Sequence, residues 1–503
     1  MDTLSTGTNK SQIAKKGGTE MSTSNTTAVS GGSYELPGNS LGLFDTTSST
    51  LANIAPALSV FLTIPFIVAN MGAMAPWAFV LAAIAILCTG NALIEFTKRI
   101  PSAGGFISYL TNAAETSSKK TGTFVGGVGF YLLLLAYPVS ISSLAVFFGS
   151  WSANYLGWST GSWIWISLFS IALAVPFLLK GTGVSVKVAF ALFCTEAIVL
   201  VVLSVIVLFK AHSALGVPFH AINGLGFKGM AGLTFAFAVF GFVGWENSGP
   251  LGEESRDPKR TIPRTVIISV LLCMVVFFLA AYALVVGFAG LHGASDGIKA
   301  IVSSPSPYLE LAGNYANWLH FLVFFVGLTS ALGGVVAASL PATRYFYHGA
   351  RAGLLPKAVS KVSEKTGVPY VAMLTYVGLT AGVTTVLFWA LRNPITIAGD
   401  ESGISTVPLL FIYALTCLLL PIYVWKKDRA NFSILRHVLI SVIGAGVGIY
   451  GIWQTIKPGQ AFPANHYWMF VGLYLVLAVI GSAWAIIARK ANHEALAKGL
   501  ETA

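Results

Sequence analysis

The chain has 503 residues, of which 55% are hydrophobic and only 10% charged. A water-soluble protein carries roughly 25% charged residues, so a set of soluble domains is excluded. The net charge of +11 invites a nucleic-acid reading, which the placement of the charges removes.

The first 47 residues are rich in Ser, Thr and Gly. They hold too few apolar groups to bury a core, so 1–47 is expected to be a disordered cytoplasmic tail. No charged-then-apolar leader precedes the first apolar run. A span needs roughly 20 mostly apolar residues. Twelve such runs are predicted, over 49–70, 75–97, 121–150, 161–179, 185–209, 229–253, 265–289, 314–346, 369–391, 404–425, 436–455 and 467–488. They form one all-α membrane domain over 48–488, followed by a cytoplasmic tail over 489–503. With the N-terminus inside, the inner segments hold 25 of the Lys and Arg residues and the outer loops hold five. That is the positive-inside bias of helical membrane proteins. It places both termini in the cytoplasm and makes the bilayer, not nucleic acid, the expected surroundings.

The first span reads STLANIAPALSVFLTIPFIVAN, with Pro56 and Pro65 inside it. The sixth reads GLTFAFAVFGFVGWENSGPLGEE, with Gly241, Gly244, Gly249 and Pro250. Proline removes a backbone donor and glycine permits unwound backbone. Inside a bilayer, broken backbone is tolerated only where protein buries it or water reaches it. Two breaks five spans apart suggest an inverted repeat, spans 1–5 (about 48–210) and 6–10 (about 228–425), with spans 11 and 12 (about 436–488) added. In such a design the unwound segments meet near the midplane and form the substrate site.

Three acids fall within or at the ends of spans: Glu95 in the second, Glu196 in the fifth, and Glu246 at the break of the sixth. A charge at a helix centre costs about 2.5–3.5 kcal/mol on insertion scales, so each is a functional candidate facing the bundle. Glu246 either holds the breaks together by accepting backbone N–H bonds or meets a cationic group of the substrate. Trp245 is a candidate gate over a cation or a packed tryptophan. Glu253, Glu254, Arg256, Asp257, Lys259 and Arg260 read as a mixed cluster at an inner mouth.

Enzyme motifs fail on context. Gly446–Gly451 spells GVGIYG, but no strand precedes it as a nucleotide fold requires. Small residues that let helices approach closely explain it better. There is no Walker A motif, no HExxH and no HxxxH, and neither metal nor cofactor is expected. Cys88, Cys194, Cys273 and Cys417 all fall in apolar spans without a CxxC pair, as buried thiols do.

The chain resembles the amino acid–polyamine–organocation (APC) superfamily of secondary transporters. RIPSAGG at Arg99–Gly105, GWENSGPLGEESRDPKRTIP at Gly244–Pro263 and ATRYFYHGARAGLLP at Ala342–Pro356 carry the likeness, in order, over roughly residues 45–425. The resemblance implies a five-plus-five inverted repeat with broken helices 1 and 6, and alternating access. It also implies transport of amino acids or related amines, often with protons, and a cytoplasmic-membrane location. Substrate would sit at Ala55, Pro56, Ala57, Leu58 and Ser59 of the first break. In the sixth span it would meet Phe242, Val243, Gly244, Trp245, Glu246 and Asn247. Many members carry a GSG-like run in the first span, whose amides hold the substrate carboxylate. Here the run is APALS, so a carboxylate partner is less assured. Amines without a carboxylate stay open, and the Ser59 hydroxyl is a candidate compensation. Glu196 stands where some relatives carry a lysine that fills a sodium site, which makes it the candidate proton-coupling residue. A polyamine or cationic amino acid exchanger, and a sensor that binds without carrying, remain alternatives.

Overall fold

Backbone surrounded by hydrocarbon must satisfy its own N–H and C=O groups, and a helix does so within one segment. The computed structural model describes residues 41–102, 104–159, 161–179, 186–230, 233–252, 255–363, 368–457 and 466–491, all within one unit, Leu36–Ala503. These residues are helical, with a single bridge between Leu41 and Ser255 as their only extended pairing. The expected tails lie outside them apart from 41–47 and 489–491, as do Glu253 and Glu254.

In chain order the helices are α1 (Leu43–Ile54), α2 (Pro56–Met71), α3 (Trp77–Thr97), α4 (Phe106–Glu115), α5 (Lys119–Leu156), α6 (Trp163–Leu179), α7 (Val186–Lys210) and α8 (Leu233–Phe240). They continue with α9 (Pro258–His292), α10 (Ala294–Ser303), α11 (Pro307–Tyr315), α12 (His320–Arg351), α13 (Tyr370–Leu391), α14 (Pro394–Lys427), α15 (Ile440–Ile456) and α16 (Tyr467–Ala491). Among the described residues, 10 segments are long and apolar enough to cross a membrane, the first being α1 and α2 together. This is a multi-pass membrane protein.

Three predicted spans depart from their expected form. The fourth is α6, an apolar helix of only 17 residues. The sixth is α8, which stops after 8 residues because Gly241–Gly244 leave the helix. The tenth begins earlier than its apolar run. Asn393 accepts from the N–H groups of Ile395 (3.0 Å) and Thr396 (3.2 Å), and Pro394 opens the helix. An Asn N-cap followed by Pro is a strong start signal. It draws Asp400 and Glu401 into α14.

The long helix α5 runs through the bundle, touching α4, α6, α12, α13, α14 and α16. Outward side chains are large and apolar: Phe209 is 83% exposed and Trp165 73%. A continuous exposed apolar surface of this kind suits lipid rather than water. The GVGIYG stretch lies in α15, where a β-carbon on Gly448 would sit 3.1 Å from the Leu410 carbonyl oxygen and one on Gly444 3.0 Å from that of Cys88. Gly448 and Gly451 of the stretch, with Gly444 just before it, serve close helix packing, whereas Gly446 faces open space. The four cysteines are free thiols.

Candidate functional site

The first break is one residue wide. α1 ends at Ile54, Ala55 adopts φ 50 and ψ 71, and α2 starts at Pro56. A left-handed conformation costs an L-residue roughly 1–2 kcal/mol, and here surrounding packing holds it. The new helix end must satisfy its leading N–H groups. Pro56 has none. Ala57 N–H donates to Glu196 Oε2 at 3.2 Å, and Leu58 N–H donates to Ser330 Oγ at 3.1 Å. Ser330 in turn donates its hydroxyl to Glu196 Oε2 at 2.8 Å. Glu196 on α7 and Ser330 on α12 together cap α2. The Ser59 hydroxyl donates to the Ile54 carbonyl at 2.7 Å, bridging the break.

The second break is longer. After α8 the chain makes turns through Gly244 (φ 112) and two short 3-10 segments, Trp245–Ser248 and Pro250–Gly252. Gly244 N–H donates to Glu246 Oε2 at 2.9 Å. Glu246 thus accepts a backbone bond, and it comes from its own break rather than from α1. Its Oε1, the Trp245 indole N–H and the Tyr413 hydroxyl are buried without a well-formed hydrogen bond. Asn247 links the two breaks: its Nδ2 lies 3.4 Å from Asn53 Oδ1, and its Oδ1 accepts from the Tyr137 hydroxyl at 3.3 Å.

The predicted residues therefore divide. Ala57, Leu58 and Glu196 converge on the start of α2, with Ala55 and Pro56 at the turn itself. Gly244, Glu246 and Asn247 converge on the end of α1. Trp245 and Phe242 are fully buried and packed outward from the breaks. Trp245 lies against Gly90, Phe106 and Tyr413; Phe242 lies against Phe79 and Phe277. Val243 is half-buried. Ser330, Asn53 and Tyr137 were not foreseen, because a lone Ser, Asn or Tyr in an apolar run has no spacing signal.

A cavity of about 550 Å³ runs along α2 beyond its capped start, walled by Phe61, Phe66, Phe147 and Trp151, with Ser303, Ser304, Asn393 and Thr396 among its polar lining. On the other side of the breaks the helices are tied together. Buried Glu95 takes Lys98 Nζ at 2.9 Å and Arg99 Nη1 at 2.7 Å, and Arg99 Nε reaches Asp428 at 2.9 Å. His437 Nδ1 accepts from the Ser433 N–H at 2.8 Å, so its Nε2 carries the proton toward Glu95, 3.1 Å away. Outside the spans, the Asn431 amide, and after it the Arg99 guanidinium, hold the Asp428 carboxyl below the usual carboxylate range. In the charged stretch after the second break, Arg260 stands 3.7 Å from Asp257.

Sequence reasoning also passed over Asp400 and Glu401. Asp400 accepts from the Tyr467 hydroxyl at 2.6 Å, while both Glu401 oxygens are buried without a well-formed hydrogen bond. No group of three metal-ligating side chains occurs among the described residues.

A family profile described as amino acid permease matches residues 41–480. The branched-chain amino acid permease BcaP of Bacillus subtilis is 24% identical over 59% of this chain, which spans 63% of that relative's length. The D-serine/D-alanine/glycine transporter of Escherichia coli K12 is 25% identical, covering 64% of this chain and 68% of its own. The vacuolar cationic amino acid transporter 8 of Arabidopsis thaliana is 23% identical over 78% of this chain and 64% of its own. With most of its length matched, the chain belongs to the amino acid permease family of the APC superfamily, whose members are membrane transporters and not enzymes.

Proposed function

We propose that this protein is a secondary active transporter that moves amino acids or related amines across the cytoplasmic membrane by alternating access, coupled to protons. The observation that carries the reading is the pair of facing breaks, Ala55 in the first span and Gly241–Ser248 in the sixth. Non-helical backbone at membrane depth is expected at a transporter's substrate site. In this reading α1 with α2, α3, α5, α6, α7, the α8 segment, α9 and α12–α16 are twelve spans. The first five and the next five form the inverted repeat, and both termini lie in the cytoplasm.

The ties around Glu95 form the inner closure, and the α2 cavity is the outward approach. Substrate and proton together favour the occluded state over the open one. Glu196 carries the proton. It joins α7 to α2 and α12 through Ala57 and Ser330, so gaining or losing a proton there changes contacts on three helices at once. The named relatives handle small amino acids, branched-chain amino acids and cationic amino acids, which supports the class and not one member of it.

Uptake of labelled amino acids and amines into proteoliposomes under an imposed pH gradient tests the reading. Accumulation above the external concentration is expected, collapsing when the gradient is dissipated. Uptake only against preloaded internal substrate would make the protein an exchanger. Binding without filling of the vesicles would make it a sensor.

A further inference from the structure

The start of α2 offers no unused donor. Pro56 has no N–H, Ala57 donates to Glu196, Leu58 donates to Ser330, and Ser59 N–H donates to the Ala55 carbonyl at 3.0 Å. A helix N-terminus is ordinarily an anion site, because its leading amides and its dipole both face outward. Here the anion is supplied by the protein. An incoming carboxylate would have to displace Glu196 and Ser330, then lie beside a buried carboxyl group that had lost its partners. Losing hydrogen bonds to a buried charged group is costly, and two carboxylates in one site oppose each other. A protonated Glu196 still accepts from Ala57 and Ser330, so the obstacle survives loading of a coupling proton.

The surrounding acids and aromatic walls point the same way. Glu196 and Glu246 are both buried, and neither takes part in any ion pair among the described residues. The α2 cavity adds aromatic walls, Phe61, Phe66, Phe147 and Trp151, and no ionisable side chain. Aromatic faces attract cations. The site therefore supplies carboxyl acceptors and aromatic surface, and the start of α2 withholds the amide donors that an α-carboxylate needs.

We infer that the preferred substrates are amines that lack an α-carboxylate, with Glu196 standing where that carboxylate would bind. This rests on the transporter reading above and narrows its substrate class. It sets the chain apart from a permease whose first-span amides are open.

The test uses the full-length purified protein and matched pairs that differ only in the carboxylate: putrescine with ornithine, isoamylamine with leucine, phenethylamine with phenylalanine. Binding is read by thermal stabilisation, and transport by competition in proteoliposomes. In each pair that binds, the amine should act at a concentration at least about tenfold lower than the amino acid, the loss expected from displaced buried hydrogen bonds. Glu196→Ala, which releases the Ala57 donor, should shrink or reverse that preference, and Ser330→Ala should shift it the same way. Equal or better action of the amino acids on the unmodified protein overturns the inference and leaves the transporter reading standing. Absence of binding or transport by either member of every pair overturns both.

Discussion

A β-carbon placed on Gly244 would lie 2.8 Å from the main-chain carbonyl carbon of Asn53, so the two breaks meet backbone to backbone. Gly244 also holds φ 112, which an L-side chain rarely adopts. Gly244→Ala meets both obstacles, and neither neighbouring atom belongs to a flexible side chain. The overpacking alone is expected to cost about 1–3 kcal/mol. Thermal unfolding of the purified variant should drop accordingly, and transport should fall further than stability, since the Asn53–Asn247 contact depends on the same approach. A variant with full stability and full uptake would show that the breaks do not need to touch.

Glu196→Gln separates exchange from coupling. Glutamine keeps an oxygen for Ala57 and Ser330, so the cap on α2 survives. It cannot take up a proton. Counterflow of labelled against unlabelled substrate should persist, while accumulation driven by a pH gradient should disappear. Gradient-driven accumulation at the unmodified level would remove Glu196 from the coupling step.

Much of this was legible in the letters, for identifiable reasons. Pro56 and the cluster of Gly241, Gly244, Gly249 and Pro250 mark breaks because their backbone chemistry acts locally. Glu196 stood out because an acid amid ALFCTEAIVLVV has no local partner. Its function as a cap was hidden, since Ala57 lies 139 residues away and Ser330 134 residues away. Trp245 could be read as gate or core because both uses suit an indole; only its packing against Gly90 and Tyr413 distinguishes them. After Gly249 the backbone makes a 3-10 turn over Pro250–Gly252, a geometry that Gly and Pro permit but do not specify. Asp400 and Glu401 fall before the predicted span 404–425, because polar residues at the start of an apolar run resemble a loop until the cap at Asn393 is recognised.

Asp428 makes the closure around Glu95 sensitive to acid. Its carboxyl is held low first by Asn431 and then by Arg99. A depressed folded-state value means the contribution is fully present above the unfolded value, near pH 3.9, and is lost as pH falls through the folded value. Asp428→Asn should therefore flatten the acid limb of thermal stability below about pH 4 and lower neutral-pH stability by the same small amount, since solvent partly screens the pair. An unaltered acid limb in the variant would show that the Arg99–Asp428 pair contributes nothing to it.

Glu401 is fully buried, with neither carboxyl oxygen in a well-formed hydrogen bond, beside the buried Ser142–Thr384 hydroxyl pair. An acid this poorly partnered is not retained for stability, since a buried polar atom left unpaired costs about 1–3 kcal/mol. Replacing buried ionisable groups with apolar ones of similar size is often neutral or stabilising. Glu401→Leu should therefore unfold at the same temperature or higher. Transport should fall in the same variant, because stability given up at a buried acid is commonly the cost of function. Ala398, one helical turn before Glu401, lines the α2 cavity, which places the acid about one turn from the proposed substrate approach. A lower unfolding temperature would make Glu401 a structural residue whose partners form in another conformation. Unchanged transport with raised stability would show that it serves neither purpose.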